Sequence, residues 1–213
     1  MKKLLFIIFA ISAPVLIMAQ DTNRVKEVGV VFSDLNDFGI TFKFGSNRGV
    51  WRINTLLISG DKYKSNISNG TDEYTINEES QGYRLSLGRE YRLKIVDKFQ
   101  FRVGFDASYA YDHRKEDEKY DYLSYQDNSY ESIHHSVGIN LVLGFNYAYN
   151  NKLVIGAEIL PGYSYNWWKV MDYNNYVYNG MREYVKKENE NKTSNYSFNL
   201  SNMPVLLSIA YRF

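Results

Sequence analysis

The 213-residue chain balances 25 Lys and Arg against 24 Asp and Glu, a formal net charge of +1, so bulk charge gives no basis for a nucleic-acid or acidic-surface partner. It contains no cysteine, which excludes disulfides, thiolate metal sites and a lipid-modified thiol. Beyond the first segment no run approaches the roughly 18 consecutive apolar residues of a membrane helix, and a membrane protein without such a run is left with the closed β-barrel.

Residues 1–19 read as a signal peptide: Met1, Lys2 and Lys3 give a positive start, 4–18 an apolar core, and Ala19 before Gln20 a small-residue cleavage point. Residues 20–213 are then one domain. From Val25 the pattern becomes a period of two, as in strands whose side chains alternate between faces. The first predicted strand, 27–33, puts Val28, Val30 and Phe32 on one face, and 34–37 is a polar turn. The second sets Phe38, Ile40, Phe42 and Phe44 against Gly39, Thr41 and Lys43, and 45–49 is a Gly-Ser-Asn-Arg-Gly turn. In the third, 51–58, Trp51 and Ile53 oppose Arg52 and Asn54. A long polar segment, 64–80, follows.

The fourth strand, 83–93, sets Tyr83, Leu85, Leu87 and Tyr91 against Arg84, Ser86, Gly88 and Glu90. The fifth, 99–112, sets Phe101, Val103 and Phe105 against Arg102, Gly104 and Asp106, and leads into a second polar stretch, 113–131. The sixth, 136–148, alternates Ile139, Leu141 and Leu143 with Asn140, Val142 and Gly144, and turns at 149–152. The seventh, 153–165, sets Ile155 and Ile159 against Gly156 and Glu158, and precedes a third polar stretch, 169–195. The eighth, 203–213, alternates throughout and ends on Tyr211-Arg212-Phe213.

Connections therefore run short, short, long, short, long, short, long. With both chain ends on one side, three short connections share that side and all three long ones lie opposite. This predicts an all-β fold, an eight-stranded antiparallel up-and-down transmembrane barrel with short periplasmic turns and long external loops. With the apolar face turned to lipid, the lumen receives Lys43, Arg52, Arg84, Glu90, Arg102, Asp106, Glu158 and Arg212. A barrel of this size is about filled by side chains, so these charges are expected to pair. Arg89 falls on the lipid face, which predicts either a bulge at Gly88 or a place near the periplasmic boundary. Pro161 and Pro204 sit inside strands, where neither can donate to a ladder, and they mark a candidate lateral seam.

His113, His134 and His135 lie near the outer ends of strands five and six, with Asp112 and several Ser nearby. Such a set can support general-base chemistry, yet no spacing motif singles it out, and neighbours His134 and His135 point to opposite faces, unlike metal ligands. No catalytic residue, metal or cofactor is expected. The polar stretches carry Tyr120, Tyr122 and Tyr125, then Tyr173, Tyr176 and Tyr178, a composition shared by recognition surfaces, interfacial girdles and strand extensions.

Over 27–213 the chain resembles the small eight-stranded outer-membrane barrels, the OmpA/OmpX-like superfamily, and within it the single-domain outer membrane protein β-barrel family. A last strand ending in Phe is similar to the signal read by the barrel assembly machinery, and Tyr211 and Phe213 fit it. The resemblance implies a monomer in outer-membrane lipid. The leading expectation for function is a structural or external-loop binding and adhesion role toward an unidentified external ligand. A narrow anion-preferring pore comes second and a lipid-modifying enzyme third.

Overall fold

The structure, a computed structural model, describes residues 24–32, 38–46, 48–68, 73–120, 127–149, 152–177, 184–199 and 205–213. The predicted signal peptide, Pro204, Tyr122, Tyr125 and Tyr178 lie outside the described residues.

Alternating sequence becomes strand throughout. The described strands are β1 (Arg24–Phe32), β2 (Phe38–Ser46), β3 (Gly49–Ser68), β4 (Glu73–Val96), β5 (Phe99–Tyr120), β6 (Asp127–Ala148), β7 (Leu153–Ile159), β8 (Gly162–Val177), β9 (Tyr184–Asn199) and β10 (Leu206–Arg212). All pair antiparallel in one sheet of order β5-β4-β3-β2-β1-β10-β7-β6-β8-β9. A further ladder joins β5 to β6, so β1 to β7 and β10 close into a ring of eight. The connections 46–49, 96–99 and 148–153 lie together at the end of the ring where β1 begins and β10 finishes.

Among the described residues the expected eight strands are ten: β7 and β8 divide the predicted seventh strand, and β9 lies mostly within the third polar stretch. β7 and β8 keep one register against β6: Ile159 faces Leu143 and Gly162 faces Asn140, so nothing is inserted on that side. Between them the Pro161 carbonyl accepts a hydrogen bond from Leu141 N at 2.7 Å, and proline has no N–H to return. The bond lost at Pro161 therefore faces β6, not the neighbouring β9 and β10 as the lateral-seam expectation required. On that other side Glu158 faces Leu206 while Gly162 faces Asn199, so four steps on one strand meet seven on the other.

The three polar stretches are not long loops. β3 and β4 stay paired out to Ser68 and Glu73, β5 and β6 to Glu118 and Asn128, and β8 and β9 to Val177 and Tyr184. Polarity on both faces there reflects water on both sides rather than loss of the ladder. Cross-strand pairs hold these ends, among them Lys62–Glu79 at 2.9 Å, Arg114–Glu78 at 2.8 Å and Thr75–Asn66 at 3.1 Å. The β1–β2 hairpin stops much earlier, with Phe38 opposite Leu57. Above it, among the described residues, the ring gives way to a wall of six strands, β3, β4, β5, β6, β8 and β9.

No bulge occurs at Gly88. The β3–β4 register is unbroken from Gly49 to Ile58 and shifts only between Ile58 and Asp61. Gly88 instead lies directly between Arg52 and Asp106 across three strands, and Asp106 and the Phe105 carbonyl pack where its side chain would stand.

Burial is inverted relative to a water-soluble fold. Ile139 on the outer face is 68% exposed, whereas Glu90, Arg102 and Asp106 are 0% exposed. Buried apolar packing among the described residues includes a small cluster of Val31, Leu206 and Leu160. The filling of the ring is mainly ionic, with Val50 and Val142 fully buried beside the charges.

Candidate functional site

The inner face of the ring assembles one charged plug from seven strands. A single cross-strand row sets Arg212, Glu27, Lys43, Arg52, Gly88 and Asp106 side by side on β10, β1, β2, β3, β4 and β5. A second row sets Arg92, Arg102, Gly144 and Glu158 on β4, β5, β6 and β7. In each row a glycine separates a guanidinium from the carboxylate beyond it, so the long Arg side chain crosses where no side chain stands.

The plug has layers. Nearest the short turns, Glu27 accepts two hydrogen bonds from the Arg92 fork, at 2.8 and 2.7 Å, and another from Arg212 Nε at 2.9 Å. Glu90 is the centre: Arg92 Nε donates to it at 2.8 Å, Lys43 Nζ at 3.0 Å, and Arg52 and Arg102 at 3.2 Å each. Beyond Glu90, Glu158 takes both ends of the Arg52 fork and pairs with Arg102 Nη1 at 3.0 Å. Bidentate forks of this kind are the strong ion pairs, fixing geometry as well as charge. Asp106 Oδ2 stands 3.3 Å from Arg52 Nε, and neither of its oxygens accepts a well-formed hydrogen bond.

Of the predicted lumen residues, Lys43, Arg52, Glu90, Arg102, Asp106, Glu158 and Arg212 meet in this plug. Arg84 does not: it faces inward but lies beyond the plug, exposed, with no ion pair among the described residues. The prediction omitted Glu27 and Arg92, which are 1% and 6% exposed. Both were marked by phase, since Glu27 alternates with Val28 and Arg92 shares the face of Glu90.

Arg89 does point outward, near the short-turn end. Its guanidinium stands 5.3 Å from the Trp51 ring centre and 5.5 Å from that of Tyr91, a cation–π contact on both sides. Tyr211 and Phe213 are outward and exposed, on the same face as Ile209.

The histidines occupy the wall beyond the plug, where β5 and β6 pair. His134 Nδ1 lies 3.0 Å from Asp112 and its ring stacks on Trp168 with centres 4.7 Å apart. His113 Nε2 lies 2.9 Å from Glu131, and His135 Nδ1 shares a 2.9 Å hydrogen bond with Tyr109, on the opposite face from His134. A cavity of about 240 Å³ beside His134 also touches Ser80 and Ser132, yet His134 Nε2 has no hydrogen-bond partner. No nucleophile is engaged there. Among the recognition tyrosines, Tyr173 donates to Met171 Sδ at 3.4 Å, Tyr176 lies opposite Val185, and Tyr120 ends β5 opposite Tyr74.

No protein-family model and no curated protein matches the sequence. Among solved structures the chain is similar to a major outer membrane protein from Thermus thermophilus, at 12% identity and TM-score 0.48, covering 89% of this chain and 99% of that one. It is also similar to CarO of Acinetobacter baumannii, at 10% identity and TM-score 0.38, and to Ail, the attachment invasion locus protein of Yersinia pestis, at 13% and 0.29. Each of those two alignments covers 89% of this chain and 95% of the other. No residue role follows from likeness at this level.

Two substitutions test the plug. Glu90→Gln leaves four cations around a neutral group and is expected to cost about 3–5 kcal/mol, whereas Arg84→Gln should stay within about 0.5 kcal/mol of the parent. Urea unfolding of the vesicle-inserted protein, followed by Trp fluorescence, measures both; equal midpoints would remove Glu90 from its central role. Gly88→Val sets a Cβ against the Phe105 carbonyl oxygen and Asp106 Oδ1, which must move, and should cost at least about 1–3 kcal/mol in the same assay.

Proposed function

We propose that this chain is a monomeric outer-membrane β-barrel, closed to solute by its ion plug, that acts through the strands projecting beyond the membrane in a structural, binding or adhesion role. The observation that carries this reading is the inversion of burial. A ring with ions inside and Val28, Val30, Ile40, Leu85, Leu87 and Ile139 outside suits hydrocarbon as its surroundings.

Aromatic residues support the same placement. Near the short turns Trp51, Tyr91, Tyr147 and Tyr211 face outward; toward the other end Tyr83, Tyr109, Tyr163 and Trp167 do so. Tyr91 and Tyr83 are eight residues apart on β4, about 27 Å of strand. At a tilt of about 40° this rises about 20 Å, close to the ~25 Å apolar band between the girdles of such barrels. The paired ends of β3–β4, β5–β6 and β8–β9 then stand clear of the membrane as rigid polar hairpins. Rigid surfaces bearing Tyr and charge lose little entropy on binding, which suits recognition.

The closed lumen argues against the pore. Arg52, Arg102, Glu90 and Asp106 are at most 1% exposed, and each cation touches a carboxylate. His134, whose Nε2 engages no nucleophile among the described residues, gives no support to an enzyme.

Refolded 20–213, inserted in a planar bilayer, is expected to pass no steady current, and its expression should leave the mass of host membrane lipids unchanged. An anion-selective current that vanishes in Arg102→Ala would make the protein a pore. A shifted lipid mass would make the His134–Asp112 pair a reaction centre.

A further inference from the structure

At the short-turn end the wall changes from charged to apolar between neighbouring residues. A cavity of about 650 Å³ opens there across the rim itself. Its inner side is Arg92 and Arg212, its outer side Tyr91 and Leu93, and Arg48 and Lys94 stand at the lip. A ligand seated in it meets cations with one part and an apolar, outward wall with another. That is the outline of an amphiphile.

The cations of the plug exceed its carboxylates by one. The plug holds five cations, Lys43, Arg52, Arg92, Arg102 and Arg212, against four carboxylates, Glu27, Glu90, Asp106 and Glu158. At the lip Asp97 is taken by Lys94 at 2.6 Å. Arg48 is exposed and has no ion pair among the described residues. Arg89 approaches from the outer wall: a Cβ placed on Gly49 would lie 3.5 Å from the Tyr91 ring and 3.7 Å from Arg89 Nη2. Arg89 Nε is itself buried without a hydrogen-bond partner. Two guanidiniums without a carboxylate among the described residues thus belong to this rim: Arg48 lines the cavity together with Tyr91, and Arg89, outside that lining, stands against the Tyr91 ring on the apolar face.

We propose that this rim is a binding site for the phosphate group of a membrane lipid, with Arg48 at the cavity and Arg89 on the outer wall as its unpaired cations and the acyl chains against Leu93 and Tyr91. Guanidinium forks match phosphate oxygens in geometry as well as charge. A free anion would satisfy the cations but leave Tyr91 and Leu93 with no counterpart. Arg89, a poor choice for a lipid-facing strand on its own, becomes a headgroup contact. The site rests on the membrane placement proposed above, with the short-turn end in one leaflet's headgroup layer.

Native mass spectrometry of the refolded protein tests it, using dioleoyl phosphatidic acid and dioleoyl phosphatidylcholine in competition and inorganic phosphate as a third probe. The parent should retain phosphatidic acid in preference, and Arg48→Gln and Arg89→Gln should each lower that retention about fivefold. Arg114→Gln, at the opposite end, should not. Inorganic phosphate should fail to displace the lipid. Displacement by phosphate alone would make this a free-anion site and overturn the lipid assignment. Equal retention of both lipids, or indifference to Arg48 and Arg89, would overturn the site while leaving the barrel standing. A chain that fails to acquire heat-modifiable mobility in vesicles would overturn the membrane placement itself.

Discussion

Glu90 receives four cations from four strands, and the closed ring depends on that convergence. Transfer of an isolated carboxylate into a dry interior costs on the order of 20 kcal/mol before pairing, and each surrounding guanidinium carries a similar penalty. None of these groups is tolerable alone. Together they define one arrangement, because Lys43, Arg52, Arg92 and Arg102 reach the same two oxygens only when β2, β3, β4 and β5 are all in register. A slip of one residue would turn every one of them outward. The plug is thus less a source of net stability than a device that penalises each alternative pairing.

The need for such a plug follows from the alternation itself. A strand that shows lipid on one face and is apolar on the other would read as a continuous hydrophobic run, and several such strands would approach a membrane helix in character. Keeping alternate positions polar avoids this, but it commits the lumen of a narrow ring to polar filling. Glycine then sets the packing. Gly88 stands between Arg52 and Asp106 and Gly144 between Arg102 and Glu158, and with no side chain at either glycine each guanidinium and carboxylate meet across it.

Much of this was legible in the residues. Period two located every strand of the ring, and phase alone assigned seven of the plug residues to one face. The same phase marks Glu27 and Arg92, but both lie near the short-turn ends of β1 and β4, where alternation is hardest to tell from a turn. Arg84 shows the converse limit: phase fixes the face a residue occupies, but not its height, and above the plug an inward Arg meets water. The ladders beyond the ring were hidden because polarity on both faces resembles loop composition. What distinguishes them is cross-strand complementarity, as in Lys62 with Glu79 and Arg114 with Glu78, which is a property of pairs and not of windows.

The seam between β1 and β10 joins residues 185 positions apart, with Arg212 reaching back to Glu27. Every other ladder of the ring links neighbours along the chain or strands separated by one hairpin. Closure is therefore the single step of high contact order, and it waits for the last strand to arrive. Until then Glu27 has only the Arg92 fork, and the sheet presents two long open edges. The same adjacency makes the seam arbitrary: joining 24 to 212 by a short turn and opening the chain at 46–49 would yield a circular permutant with the same ladders but a different final strand.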